Sequence, residues 1–223
     1  MPVSTIAFHN IYDELNRENR LFEERDATIG DDLLLPFNEL RRRAAENGIK
    51  VATTAVLPPE GIDAYVFIDM PDPGCRQFRE ALAANRPLYL VVMESRLVRP
   101  ENFDAANHRY FRKIFTYDDS LVDGKRFIKL NYAFRFPATI PHDLGRKEKL
   151  CVTIAGNKRS ADPHELYSER LALIRWFERN RPGEFDLYGT GWDEGSIGIH
   201  FPRPLTKRWG WLKRLGGPAF PSW

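Results

Sequence analysis

The sequence predicts an α/β protein with a mainly parallel sheet, and three observations lead to this fold class. Short, continuously apolar segments recur along the chain, and residues 64–68 and 88–93 are the clearest of them. Segments with helical periodicity, residues 33–47 and 74–85, lie between the apolar ones. The apolar segments lack the polar–apolar alternation of a half-exposed strand. Strands buried on both faces and separated by helices are typical of a parallel sheet.

The elements follow one another in a regular order. The first helix (LLLPFNELRRRAAEN) ends at Gly48, where a glycine commonly stops a helix. The region before it, residues 4–30, mixes apolar and polar positions and predicts a first strand followed by a long variable excursion. The predicted strands of this first half are residues 6–8, 49–53, 64–68, 88–93, 113–117 and 127–130.

Composition and charge exclude several classes of protein. A net charge of +2 gives no global basis for binding nucleic acid. The longest apolar run, residues 88–93, is far shorter than a membrane span, and the N-terminus has no signal-peptide pattern. Two cysteines give no disulfide framework, so the composition favours a cytoplasmic protein.

The chain is predicted to contain two domains joined by a linker. Residues 137–148 (PATIPHDLGRKE) have the proline, glycine and charge content of a linker. They separate an α/β domain of residues 1–136 from a second unit of residues 149–223. After Trp192 about thirty residues remain, with no clear strand among them. The second domain is therefore expected to be incomplete in this chain.

The second unit begins with a pattern that suits an anionic ligand. A strand over residues 150–155 leads into a polar loop, and a helix is expected to start at Asp162, with Pro163 in its first turn and Glu165 completing a capping box. A further strand is predicted over residues 185–188. A helix N-terminus after a strand presents N–H groups to anions, and a diphosphate would suit Lys158 and Arg170. The alternative is a loop that binds nothing.

Few other residues suggest chemistry. Glu94 directly follows the apolar strand, where open α/β sheets bind ligands, and is either a general base or a surface carboxylate. The acidic pairs Asp118/Asp119 and Asp69/Asp72 suit a metal or a turn, and the turn is the preferred interpretation. The histidines match no zinc motif. A dinucleotide fingerprint at residues 189–194 fails because Glu194 stands at the third glycine position.

Three stretches together resemble the family 10 glycosyltransferases, the α-1,3/α-1,4-fucosyltransferases, in their bacterial form. The first is PLYLVVMESRLVRPENF, similar to the family's strand ending in Glu-Ser, although Arg96 stands where a proline often follows. The second is FRKIFTYDDSLVDG. The third is LCVTIAGNKRSADPHELYSERLALI with FDLYGTGWD, similar to the opening of the family's donor domain. These stretches cover roughly residues 30–193 in the family's order.

The resemblance implies a GT-B architecture, with two Rossmann-like domains facing across a cleft. It implies an inverting transfer of fucose from GDP-fucose to a hydroxyl of a surface glycan or lipid-linked oligosaccharide, without a bound metal or other cofactor. Glu94 would be the general base, and Arg170 would meet the donor diphosphate. Asn157 and Lys158 would lie at the donor-side loop.

The chain also departs from the family pattern. It reaches Trp223 before the family's later donor motifs, a Lys before a Tyr-x-Phe…Glu-Asn stretch and a Thr-Glu-Lys, so we expect a truncated member with an incomplete donor pocket. Whether such a fragment is active stays open. A glycan-binding remnant without chemistry, and a GT-B transferase of another nucleotide sugar, are the alternatives.

The C-terminal stretch, RPLTKRWGWLKRLGGPAFPSW, is basic and aromatic. Trp209 and Trp211 would let it contact a glycan or an anionic membrane surface, which would place the protein at the inner face of the membrane. Glycine and proline interrupt any long amphipathic helix there. They favour the alternative, a loop that packs against the rest of its domain.

Overall fold

A computed structural model describes residues 4–23, 33–133, 136, 138–140, 142, 145 and 147–192, and the backbone of residues 199–200. Contacts between Cα atoms divide the chain into two compact units, residues 1–136 and 137–222. We call them unit 1 and unit 2 and describe each by itself.

Unit 1 contains a six-stranded sheet in which every pair of neighbouring strands is parallel. The strand order is β2-β1-β3-β4-β5-β6. The strands are β1 (Thr5–Asn10), β2 (Lys50–Thr53), β3 (Ala64–Ile68), β4 (Leu88–Val91), β5 (Lys113–Thr116) and β6 (Phe127–Lys129). The parallel α/β sheet that the apolar strands predicted is confirmed, and it is consistent with a Rossmann-like domain.

The helices of unit 1 cover both faces of this sheet. One face packs against α4, whose Phe78 and Ala81 join the core with Phe67 and Leu90. The opposite face packs against α2 and α3 through Leu21, Phe22 and neighbouring side chains. The helices are α1 (Asp13–Asn16), α2 (Arg20–Glu23), α3 (Leu35–Glu46), α4 (Arg76–Ala83) and α5 (Ala105–His108).

The strand order reverses at one point of the sheet. From β1 the chain moves to β2 on one side, and all later strands are added beyond β3 on the other side. In open α/β sheets the crevice at the carboxyl ends of the strands beside such a switch point is the usual ligand site. The switch point lies between β1 and β3.

Unit 2 has a three-stranded parallel sheet of β7 (Cys151–Ile154), β8 (Phe185–Gly189) and β9 (Ile199–His200). The helix α6 (Tyr167–Asn180) connects β7 to β8. Ile174 of this helix packs on Phe185 and Leu187 in a small core. Val152 and Ile154 on β7 are largely exposed.

The helix α6 begins later than predicted. The sequence placed its start at Asp162, but the helix begins at Tyr167, and residues 162–165 form a turn. The Asp162 carboxylate accepts the His164 N–H at 2.8 Å, which closes that turn. Glu165 then accepts the Ser168 N–H at 3.0 Å and the Tyr167 N–H, so it caps the true first turn.

Among the helices that the structure describes, none is both long and apolar enough to cross a membrane. The basic, Trp-rich C-terminal stretch, with Trp209 and Trp211, lies outside the described residues.

Candidate functional site

Glu94 lies just beyond β4, at the carboxyl edge of the unit 1 sheet. Its backbone is held from the neighbouring strand end. Asp69, the residue after β3, accepts the N–H groups of Met93 and Glu94 on Oδ1 at 2.8 and 2.9 Å. The two loops that leave β3 and β4 are thereby tied together at the edge where a ligand would bind.

Asp69 is a buried carboxylate with an uncommon backbone conformation. Its side chain is 2% exposed, and its backbone adopts φ 62°, a left-handed conformation that Asp tolerates better than most residues. Burial raises the pKa of Asp69, and its hydrogen bonds from the two N–H groups oppose that rise. The sequence-based turn interpretation of Asp69 was wrong, because its carboxylate holds the adjacent strand end instead of its own turn.

Asn102 completes this arrangement. It is fully buried, its Nδ2 donates to Asp69 Oδ1 at 2.7 Å, and its Oδ1 accepts the Met70 N–H at 2.6 Å. Arg99, on the same segment, donates Nε to the Met70 carbonyl at 2.7 Å. The segment after Glu94 therefore folds back over the end of β3 and fixes both strand ends.

The side chain of Glu94 contacts Tyr12, which lies in the turn after β1. The Tyr12 hydroxyl donates to Glu94 Oε1 at 2.7 Å. This hydrogen bond is the main cause that raises the pKa of Tyr12 to about 12, so the phenol keeps its proton at neutral pH. Tyr12 is 52% exposed, which leaves the pair open to solvent.

The turn that carries Tyr12 is held by a reciprocal pair of buried asparagines. The Asn10 N–H donates to Asn16 Oδ1 at 2.8 Å, and Asn16 Nδ2 donates to the Asn10 carbonyl at 2.7 Å. The Tyr12 N–H donates to Asn10 Oδ1 at 2.8 Å. Tyr12 therefore reaches Glu94 from a fixed turn at the end of β1, across the end of β3.

Two further tyrosines lie beside Glu94. The Tyr117 hydroxyl is 3.5 Å from the Glu94 carbonyl, and the Tyr132 hydroxyl donates to the Met93 carbonyl. Their ring centroids are 6.0 Å apart. Burial raises the pKa of Tyr117 and that of Tyr132, the latter to about 12. One phenol therefore binds the Glu94 carboxylate and two bind the backbone carbonyls of the segment that carries it. Each tyrosine combines an apolar ring with a hydrogen-bonding tip.

The acidic pair Asp118/Asp119 does not form a metal site with this carboxylate. Asp118 accepts the N–H of Ser120 at 2.9 Å and its hydroxyl at 2.6 Å, as a turn residue does. Lys129 binds Asp119 at 2.6 Å. Within the described part of the chain, no three His, Cys, Asp or Glu side chains cluster closely enough to hold a metal ion.

In unit 2, Asn157 and Lys158 lie beyond the carboxyl end of β7. The Asn157 N–H donates to the Thr190 carbonyl at 2.8 Å, and its Nδ2 donates to the Gly191 carbonyl at 2.9 Å. Lys158 is exposed. The loops after β7 and β8 are thus joined at the edge where a ligand of this sheet would bind.

Gly189 is required for this close approach of the two loops. It has φ 143°, and a Cβ added there would lie 1.9 Å from the Ala155 carbonyl oxygen. Trp192 then donates Nε1 to that same carbonyl at 2.7 Å. Steric space and the positive φ therefore explain why a glycine stands at position 189, in the Tyr-Gly pattern noted in the sequence.

Arg170 lies in the first turns of α6, with its guanidinium 5.5 Å from the centroid of the Tyr167 ring. The backbone N–H groups at the start of this helix are bound by Glu165. The N–H groups of Tyr167 and Ser168 are therefore occupied, and they are not open to an anion as the sequence analysis expected of this helix N-terminus.

Asn102 and Tyr12 were missed as site residues by the sequence analysis, and Asp69 was named only as part of an acidic pair. For Asp69 a signal existed, because it directly follows the predicted strand of residues 64–68, just as Glu94 follows that of residues 88–93. For Asn102 and Tyr12 there was none, since both lie in irregular segments whose positions depend on the folded chain.

Comparisons of the chain with models of protein families, with characterised proteins and with solved structures found no match.

Proposed function

We propose that the chain is a glycosyltransferase that moves fucose from GDP-fucose to a hydroxyl of a glycan acceptor, with inversion at the anomeric carbon. The proposal includes a GT-B architecture, with unit 1 on the acceptor side and unit 2 on the donor side. It rests on the three family-like stretches and on the surroundings of Glu94.

The hydrogen bond from Tyr12 to Glu94 carries the proposal. A hydroxyl already lies 2.7 Å from Oε1 of this carboxylate, at an edge open to solvent. Tyr12 donates to Oε1, so an acceptor hydroxyl would meet Oε2 and pass its proton there. Asp69 and Asn102 fix the backbone of Glu94, which keeps the base in one position during proton transfer.

The step balances with these groups alone. The acceptor O–H gives its proton to Glu94 while its oxygen forms a bond to the anomeric carbon of fucose. The bond from that carbon to the diphosphate breaks, and GDP leaves with the electron pair. Cations near the diphosphate stabilise the charge that develops, and Arg170, Lys158 and the Asn157 amide are the candidates.

The tyrosines beside Glu94 suit a sugar acceptor. Tyr117 and Tyr132 present rings 6.0 Å apart next to the carboxylate, and Tyr132 is 45% exposed. A sugar ring has an apolar face and hydroxyl edges, and tyrosine offers a matching apolar ring and polar tip.

The first experiment measures transfer of fucose from GDP-fucose to a panel of glycans by mass spectrometry. Glu94→Gln keeps the size of the side chain and removes the base, so turnover should be abolished while GDP binding, measured by calorimetry, persists. Glu60→Gln, an exposed carboxylate in the turn before β3 at the opposite sheet edge, is the matched control and should keep full activity. Near-normal turnover of Glu94→Gln would remove Glu94 as the base.

The donor side is tested separately. Arg170→Ala should weaken GDP binding by roughly 1.5–3 kcal/mol, the usual contribution of a charge-assisted contact. Arg179→Ala, at the exposed far end of the same helix, should leave binding unchanged. Calorimetry with GDP, UDP and ADP distinguishes GDP-fucose from another nucleotide sugar. Glycan binding without binding of any nucleotide would point to a non-catalytic glycan-binding protein.

A further inference from the structure

A thiol, an imidazole and a hydroxyl meet beside the β1/β3 switch point, and the proposed transfer uses none of them. His9, near the end of β1, places Nδ1 2.9 Å from the Thr54 hydroxyl. Its Nε2 is 3.5 Å from Sγ of Cys75. A nucleophile, a base and a third group that orients the base are the parts of an activated-nucleophile site.

The imidazole is held rigidly. His9 is 4% exposed, and its ring lies 5.7 Å from that of Phe67, its partner in the parallel register of β1 and β3. Thr54 follows β2 directly, and its N–H donates to the Phe8 carbonyl at 2.8 Å. Two neighbouring strands therefore fix the distance between the base and its orienting hydroxyl.

The protonation states of the pair suit proton transfer. Burial lowers the pKa of His9, while the carboxylate of Asp13 opposes this, so the imidazole is neutral and able to accept a proton at neutral pH. Nε2 can accept the thiol proton only in the neutral tautomer that carries its hydrogen on Nδ1. In that tautomer Nδ1–H donates to the Thr54 hydroxyl before and after the transfer, and Nε2–H donates to the thiolate once His9 is charged.

Cys75 lies at the start of α4. It is the N-cap residue of that helix, and its side chain makes no cap hydrogen bond to it. The sulfur instead contacts His9 and Gln77. Gln77, in the same turn, has its Oε1 3.5 Å from the sulfur and accepts the S–H while the thiol is neutral.

A depression of about 200 Å³ opens beside the imidazole. Its lining includes His9, Thr54, Gln77, Asp13, Asn16 and Arg17. A water molecule occupies about 30 Å³ in the liquid, so the depression has room for a small organic molecule. Asp13 and Arg17 are the charged groups of this lining, and α4 contributes the neutral Gln77. Phe67 of β3 packs against the imidazole ring.

We propose that Cys75, His9 and Thr54 form a reactive thiol site for small soft electrophiles, which include alkylating agents and low-molecular-weight disulfides. The Cys75 proton passes to His9 Nε2, and the sulfur attacks. With an alkyl halide, a C–S bond forms and the halide leaves with the electron pair. With a disulfide, a new S–S bond forms, the old one breaks, and the departing thiolate takes up a proton. The disulfide is then the oxidant.

The test uses iodoacetamide on the whole protein, with the alkylated peptides quantified by mass spectrometry over time. Cys151 is the internal control, because it is half-buried as Cys75 is and lies on β7. His9 can take the Cys75 proton as the sulfur attacks. We therefore expect Cys75 to react roughly tenfold faster than Cys151. In denaturant the two rates should become equal.

Two variants make the test specific. His9→Gln should reduce the Cys75 rate to that of Cys151, and Thr54→Val should reduce it severalfold, with Cys151 unchanged in both. The Cys75 rate should also vary less with pH than the Cys151 rate, because His9 takes the proton.

Circular dichroism checks that the variants are folded. If His9→Gln does not fold, the alkylation rate of Cys75 in Thr54→Val tests the proposal by itself. Cys75 reacting no faster than Cys151 in the native protein, or an unchanged Cys75 rate in a folded variant, would overturn the proposal.

Discussion

Replacing Asn102 by alanine should destabilise unit 1 more than removing a polar side chain from its surface does. The side chain is fully buried and joins the ends of β3 and β4. Its loss removes a hydrogen bond to the Asp69 carboxylate and leaves the Met70 N–H without its partner. The carboxylate would still accept the two N–H groups of Met93 and Glu94.

The magnitude follows from these two bonds. A hydrogen bond to a charged group contributes about 1.5–3 kcal/mol, and a buried N–H left unsatisfied costs about 1–3 kcal/mol. The sum, about 2.5–6 kcal/mol, is a large part of the roughly 5–15 kcal/mol that stabilises a typical domain. Asn107→Ala is the matched control. Its Nδ2 makes one hydrogen bond, to the Glu101 carbonyl, so the expected loss is about 1 kcal/mol.

Tryptophan fluorescence is not a selective probe of unit 1. The two tryptophans that the structure describes, Trp176 and Trp192, both lie in unit 2. Urea unfolding is therefore followed by far-UV circular dichroism, together with hydrogen exchange of the peptides that contain Met70, Met93 and Glu94. These amides should exchange faster in Asn102→Ala and not in Asn107→Ala. Equal losses of stability in the two variants, or unchanged exchange at these amides, would refute the reasoning.

In Tyr12→Phe, an absorbance titration should show one fewer tyrosine ionising near pH 12. The wild type should lose part of its stability between about pH 10 and pH 12 as Tyr12 ionises, and the variant should not lose that part. An unchanged titration would rule out the hydrogen bond between Tyr12 and Glu94. Burial raises the pKa of Asp69, so the contribution of Asp69 to stability falls as pH rises from about 4 through that raised pKa. The variant Asp69→Asn should not show this loss of stability. Parallel pH profiles of the urea midpoint in variant and wild type would contradict the prediction. Gly189→Ala should destabilise unit 2 by roughly 2–4 kcal/mol, because the added Cβ clashes with the Ala155 carbonyl. Gly183 has open space around it, so Gly183→Ala should change stability little. Tryptophan fluorescence during urea unfolding measures both variants, and equal effects would argue against the close approach of Gly189 to Ala155.

Much of the fold could be predicted from the sequence. The strand at residues 64–68 was predicted with the bounds that the structure has, and residues 49–53, 88–93 and 113–117 each contain an observed strand that is shorter by one or two residues. These segments are apolar on both faces, so burial alone identifies them. The start of α6 was predicted wrongly, because Asp162 and Glu165 both have the chemistry of a cap and only the folded loop decides which of them caps the helix.

The candidate site could be predicted only in part. Glu94 was found because it follows an apolar strand, a local signal that needs no knowledge of the fold. Its partner Tyr12 is 82 residues away in the sequence, and the two meet because β1 and β4 lie on either side of β3. His9 and Cys75 are likewise far apart in the sequence, with Cys75 66 positions after His9.

The sequence by itself determined which segments are buried, and therefore the α/β class and the position of Glu94 at a strand end. Apolar patterning carries that information because burial depends on each segment's own composition. The tertiary structure alone decided the strand order, the switch point between β1 and β3, and the contacts of Asp69, Asn102, Tyr12 and Cys75. Those depend on which strands pair, and pairing is set by the packing of the whole sheet and its helices, which no local pattern contains.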